Sequence, residues 1–165
     1  MANTLSKSRL RVQRALEAAG IASQVVELSE STRTASDAAA AIGCRVEQIA
    51  KSLVFRSLDS GRPVLVMAAG TNRVDERLVS SHLNAEVVMA DAAFVRSATG
   101  FAIGGVPPVG HDPPLQTLVD EDLLRHDIIW AAAGTPHAVF SLTPQELVQA
   151  TGGHVVSVSA PGRTA

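Results

Sequence analysis

Residues 50–69 read Ala50-Lys51-Ser52-Leu53-Val54-Phe55-Arg56-Ser57-Leu58-Asp59-Ser60-Gly61-Arg62-Pro63-Val64-Leu65-Val66-Met67-Ala68-Ala69. Lys51 to Leu58 is rich in strand formers, Asp59-Ser60-Gly61 is hairpin-turn chemistry, and Pro63 to Ala69 returns as a second strand. Val66-Met67-Ala68-Ala69 is apolar at successive positions, which suits a central strand covered on both faces. Outward from this hairpin, helices and strands intermix. A helix is expected in the N-terminal segment, capped by Ser6 or Ser8, with Leu10, Ala15, Leu16 and Ala19 on its apolar face and Gly20 at its end. Gln24 to Leu28 reads as a strand. Thr34 to Asp37 opens an alanine-rich helix that stops at Gly43, and Val46 to Ala50 adds a turn.

Beyond the hairpin, Asp75 to Leu83 reads as a helix and Glu86 to Met89 as a strand, and Asp91 caps a helix that runs to Thr99. Leu115 to Val119, Ile128 to Ala133, Ala138 to Leu142 and Val155 to Val158 read as strands, with a short helical piece around Asp120 to Arg125. Thr143-Pro144-Gln145-Glu146 is a capping box with proline at the first helical position, and its helix ends at Gly152-Gly153. The expectation is one domain over residues 1–165, α/β in the mixed α+β sense, with a mixed sheet surrounded by helices.

Composition narrows the function. Apolar residues are 46% and charged residues 18% of the 165 positions, which is a folding composition. The 14 basic and 16 acidic side chains leave a net charge of −2, so no global positive field holds a nucleic-acid backbone. Aromatics are 3% with no tyrosine, which argues against a platform that stacks several bases. The single Cys44 excludes an internal disulfide and suits a reducing cytoplasm. The scattered His82, His111, His126 and His154 form no metal-ligand spacing, and neither metal nor cofactor is expected. Neither a membrane span nor a secretory leader is read.

Three segments carry possible chemistry. Lys51 lies inside an apolar strand in a chain whose basic residues are otherwise almost all arginine; Lys7 is the only other lysine. Either its ammonium snorkels at a strand edge or it forms the cationic wall of a pocket. The loop from Gly100 to Pro114 has Gly104 and Gly105 followed by Pro107 and Pro108. Glycines let a ligand approach backbone N–H groups, and a stiff loop presenting such groups suits an anion or oxyanion. Gly134-Thr135-Pro136-His137 joins two strands and brings a hydroxyl and an imidazole together. Lys51-Ser52 is not a phosphate-binding P-loop, since no GxxxxG precedes it, and there is no GxSxG elbow.

These segments, TASDAAAAIGCRVEQIAKSLVF (34–55), TGFAIGGVPPVGH (99–111) and AAAGTPHAVFSLTPQELVQATGG (131–153), resemble the YbaK/EbsC family in the same order. That family comprises freestanding aminoacyl-tRNA deacylases related to the editing domain of prolyl-tRNA synthetase. The resemblance implies a mixed α/β fold round a strongly curved sheet, and hydrolysis of the ester that joins a wrong amino acid to tRNA. It implies that Lys51 is the family's substrate-contacting lysine near the terminal adenosine, and that Gly104 and Gly105 form the loop against the aminoacyl ester. Ser52, Gly134, Thr135 and His137 then fall on substrate-binding positions. Val139 stands where the cysteinyl-specific branch carries an acidic residue, which argues against cysteinyl specificity.

The expected function is trans-editing deacylation of mischarged tRNA, with tRNA-Pro carrying a small non-cognate amino acid as the substrate. The expected mechanism uses Lys51 as anchor and backbone amides at Gly104 and Gly105 for the oxyanion. Expected partners are the aminoacyl-tRNA acceptor end and prolyl-tRNA synthetase, with no membrane and no DNA, in a cytoplasmic monomer or homodimer. The competing reading is a non-catalytic module of the same fold that binds a nucleotide, an aminoacyl-nucleotide or a protein.

Overall fold

A computed structural model describes residues 3–159 of the chain. In chain order the elements are α1 (Asn3–Ala18), β1 (Val26–Glu27), α2 (Ala35–Ile42), β2 (Ala50–Ser57), β3 (Pro63–Ala69), α3 (Glu76–Leu83), β4 (Val87–Met89), α4 (Ala92–Thr99), β5 (Gln116–Asp120), β6 (Ile129–Ala132), β7 (Ala138–Leu142), α5 (Pro144–Thr151) and β8 (His154–Val156). Two 3₁₀ turns, Val46–Gln48 and Glu121–Arg125, precede β2 and β6. The mixed α/β class expected from the sequence is present. Its strands form two sheets, one ordered β4-β2-β3-β5-β8 and one ordered β1-β7-β6, joined by a parallel bridge between Ile49 and Trp130.

The hairpin anchors the larger sheet. β2 and β3 pair antiparallel from Ala50↔Ala69 to Arg56↔Pro63, and β3 then pairs parallel with β5. With neighbours on both edges and cover on both faces, β3 is buried from Val64 to Ala69. Its alternating side chains divide between two cores: Leu65, Met67 and Ala69 join Phe140, Leu147 and Leu16 on one face, while Val64, Val66 and Ala68 join Phe55, Val79 and Leu118 on the other. Each large aliphatic side chain so buried contributes about 1.5–3 kcal/mol. This explains why the strand reads as a continuous apolar run.

Local signals set the helix ends. The Thr34, Asp75 and Asp91 side chains accept from Asp37, Arg77 and Phe94 N–H, and Thr143 with Glu146 closes a full capping box. Four expectations need correction. α1 already runs from Asn3, so Ser6 and Ser8 lie inside the helix rather than at its cap. Its buried face is Val12 and Leu16, whereas Leu10 is 44% exposed and Ala19 is exposed, because α1 turns a narrower stripe to the core than the sequence suggests. The strand expected from Gln24 to Leu28 shortens to Val26–Glu27, which pairs with β7 at Val26↔Val139 and Glu27↔Ala138. The last strand lies at His154–Val156, against an expected Val155 to Val158. Residues 1, 2 and 160–165 of the expected domain lie outside the described residues.

Candidate functional site

Where the two sheets meet, the start of β2 borders a cavity of about 200 Å³. Lys51 and Ser52 of β2 form one wall, and Trp130 and Val139 of β6 and β7 another. Arg33 and Thr34, ahead of α2, form the rim, and Ile103 and Gly104 form the loop side. Lys51 is half-buried, and its Nζ donates to the Gly70 carbonyl at 3.3 Å. Burial draws the Lys51 ammonium below the ordinary lysine range, and the charge of Asp120 opposes that fall. Ser52 also borders the cavity, but strand alternation turns its side chain to the other face of β2 from Lys51, and its hydroxyl donates to Met67 Sδ at 3.3 Å.

The glycine-proline loop is held from behind. Phe101, Val106 and Val109 are buried, and His111 Nε2–H donates to the Pro107 carbonyl at 2.7 Å. Arg11 donates to the Gly110 carbonyl at 2.8 Å and lies 4.5 Å from the Phe101 ring centroid. Burial pushes the His111 imidazole below its usual range, so the neutral ring that makes this bond is favoured. The two glycines differ in what they offer. Gly105 N–H is committed to the Ala102 carbonyl at 2.9 Å, whereas Gly104 N–H donates to no acceptor among the described residues. Gly104 has φ +93°, a conformation that favours glycine, and it faces the Arg33 backbone and stem.

Gly134, Thr135 and His137 stand behind the cavity and do not line it, and neither does Gly105. Gly134 N–H donates to the Gly105 carbonyl at 2.9 Å, and a Cβ on Gly105 would lie 2.9 Å from Thr135 Cα. The buried Thr135 hydroxyl accepts from His137 N–H, and the His137 carbonyl accepts from Leu28 N–H at 2.7 Å. The Pro136 carbonyl receives both the N–H and the hydroxyl of Thr32, at 2.6 and 2.8 Å, and so sets the rim that carries Arg33. The second glycine turn thus braces the first and positions the rim of the cavity.

Sequence reading missed Arg33, Thr32 and Trp130 as cavity residues. Arg33 sits in an ordinary lead-in to a helix cap, and only the Thr32–Pro136 bonds, across more than a hundred residues, bring it to Lys51. Its guanidinium is exposed and forms no ion pair or hydrogen bond among the described residues. Arg33 and Lys51 are thus two cations around a cavity that no carboxylate lines, in a chain of net charge −2. The remaining wall is mostly apolar: Ala38, Ala50, Val106, Ala131, Ala132 and Val139. The lining thus offers positive charge at the mouth and apolar surface within. No described helix is long and apolar enough to cross a membrane.

Comparison with known proteins finds relatives over most of the chain. The sequence model of the aminoacyl-tRNA editing domain matches residues 29–150. "Uncharacterized protein YwhH" of Bacillus subtilis (strain 168) is 34% identical over 125 residues, 74% of this chain and 78% of that protein. "Putative Cys-tRNA(Pro)/Cys-tRNA(Cys) deacylase EbsC" of Enterococcus faecalis (strain ATCC 700802 / V583) is 25% identical over 132 residues, 79% of this chain and 80% of that protein. A crystal structure described as that of "a putative trans-editing enzyme for prolyl tRNA synthetase" superposes with a TM-score of 0.86 at 47% identity, covering 93% of this chain and 97% of the other.

Proposed function

Because the chain belongs to the aminoacyl-tRNA editing domain family, we propose that it is a trans-editing deacylase that removes a small non-cognate amino acid from tRNA-Pro. The observation that carries this reading is the acid-free cavity with Lys51 and Arg33 at its polar side and an alanine- and valine-lined interior. The two cations suit the phosphate and ribose at the 3′ end of tRNA. The interior suits a side chain of one to three heavy atoms, and a hydrophobic pocket that separates near-isosteres poorly is the situation in which editing is needed. Val139, 3% exposed, offers no carboxylate to a substrate thiol, which favours alanyl, seryl or threonyl over cysteinyl substrates.

An aminoacyl ester is already activated, so its hydrolysis needs a positioned water and a stabilised oxyanion more than a protein nucleophile. Water adds to the carbonyl carbon, the carbon–oxygen bond to ribose breaks, and the ribose oxygen takes the proton as the free amino acid leaves. Lys51 holds the ribose-phosphate end while the uncommitted Gly104 N–H faces the developing oxyanion. Gly105, with its N–H spent on Ala102, supports the loop and leaves the oxyanion to Gly104. The acceptor end is the partner this cavity fits, and prolyl-tRNA synthetase is the partner that would deliver it.

Single-turnover deacylation of tRNA-Pro charged in turn with alanine, serine, threonine, cysteine and proline tests the reading. Hydrolysis of a small non-cognate ester with prolyl-tRNA-Pro spared is the expected result. Rates at the buffer level across all five would sink it. The pH profile adds a second prediction. The Lys51 ammonium is present below its folded pKa and lost above it, and burial lowers that pKa. The enzyme-dependent rate, corrected for spontaneous ester hydrolysis, therefore falls on the alkaline side at a pH where an exposed lysine is still charged. Lys51→Arg, whose group stays protonated, removes that fall.

A further inference from the structure

We propose that Asp120 is a positioning residue for Lys51: its buried carboxylate fastens the Ala69–Asn72 turn, and that turn presents the Gly70 carbonyl on which the Lys51 ammonium rests. The proposal takes the role of Lys51 from the deacylase reading, but its geometry stands apart from it. Asp120 ends β5, one residue past the Met67↔Val119 pair, and is 1% exposed. Its Oδ2 accepts from Ala69 N–H at 3.0 Å and from Asn72 Nδ2 at 2.8 Å, while Oδ1 accepts from Asp122 N–H at 3.0 Å. Asn72, 7% exposed, also donates to Asp122 Oδ2 at 2.7 Å, and its own N–H closes the turn on the Ala69 carbonyl. From the other side, a Cβ on Gly70 would overlap the Val46 carbonyl, so the turn is gripped between the 3₁₀ segment and the Asp120 network. Gly70 is left with its carbonyl directed to Lys51 Nζ.

A neutral side chain could bridge this turn. A buried carboxylate is the costlier choice and needs several donors to be tolerated. What the acid adds is charge beside a half-desolvated ammonium. Lys51 pairs with Ala68, and Asp120 lies beyond Val119 on the same sheet, so the two approach from β2 and β5 across β3. The other charged groups about Lys51 are Asp122, which reaches the turn through Asn72, and Arg33 on the opposite rim. Asp120 therefore acts on the ammonium both by placing its acceptor and by favouring its charged form.

Because the chain has only two lysines, lysine labelled at the ε-carbon gives a two-signal NMR spectrum, and Lys7→Arg assigns it. The expected result is that Asp120→Asn moves the Lys51 titration midpoint to lower pH while Lys7 stays put. A folded variant with an unmoved Lys51 midpoint overturns the proposal. If Asp120→Asn does not fold, Asn72→Ala keeps the carboxylate and frees the turn. The Lys51 signal then shifts, at a pH where both lysines are charged, and an unchanged signal overturns the proposal. On the best mischarged substrate, Asp120→Asn lowers kcat/KM about tenfold in the wild-type background and less than about twofold alongside Lys51→Ala, since residues acting as one unit are not additive. Equal losses in both backgrounds mark a purely structural acid and also overturn it. An inactive wild type would defeat the deacylase reading alone, because the NMR titration needs no turnover.

Discussion

Lys51→Ala lowers single-turnover deacylation about a hundredfold or more, the scale of losing one preorganised electrostatic contact, while the protein stays folded. The separation of the two effects follows from how Lys51 is held. Its side chain makes one hydrogen bond among the described residues, to Gly70 O at 3.3 Å, at the edge of a cavity where water can take over. Removing it forfeits about 0.5–1.5 kcal/mol from that bond. Against this stands the relief of a charge that burial disfavours in the folded state, as the lowered pKa records. The melting temperature therefore moves little. In the cavity, Arg33 is left as the one remaining cation among the lining residues, and it is exposed at the rim. It can attract the acceptor end without fixing the ester. A Lys51→Ala enzyme as fast as wild type on a substrate that wild type cleaves well would remove Lys51 from the mechanism.

Lys51 was legible because it broke a local rule: a lone lysine in an apolar strand demands a surface or a partner. β3 was legible for the opposite reason, since every position agreed with burial on both faces. Arg33, which shares the cavity, broke no rule. An arginine before a helix cap is ordinary, and what places it is the pair of bonds from Thr32 to the Pro136 carbonyl, a contact no local pattern encodes. His137 shows the converse. It looks chemical in sequence, yet its backbone ties Leu28 and Thr135 together while the cavity lies on the far side of the turn. Asp120 read only as the start of a short helical piece. Its bonds to Ala69 and Asn72 join residues about fifty positions apart. Strand number and type followed from period and turn chemistry. The division into two sheets, and the Ile49↔Trp130 bridge that joins them, depend on tertiary packing that no local pattern encodes.

Gly105→Ala destabilises the fold by about 1–3 kcal/mol, the usual cost of forcing a methyl into packed space, and for a chain of this size lowers the melting temperature by about 2–4 °C per kcal/mol. The added Cβ would lie 2.9 Å from Thr135 Cα and 3.0 Å from Thr135 C and N, all backbone atoms that cannot rotate aside. The Gly134 N–H to Gly105 carbonyl bond, 2.9 Å, runs through the same contact and would lengthen with it. That bond couples the two glycine turns, and through Pro136 the second turn sets Thr32 and the Arg33 rim. Activity falls as well, but as a consequence of the displaced loop, so stability and rate decline together. Gly104→Ala separates the two roles. Its Cβ would meet only the Arg33 backbone and stem at 3.5 Å, and its cost is the positive φ of +93°. Thermal melts beside single-turnover rates decide the matter: Gly105→Ala with an unchanged melting temperature and a lost rate would return Gly105 N–H to the oxyanion and refute its assignment to packing.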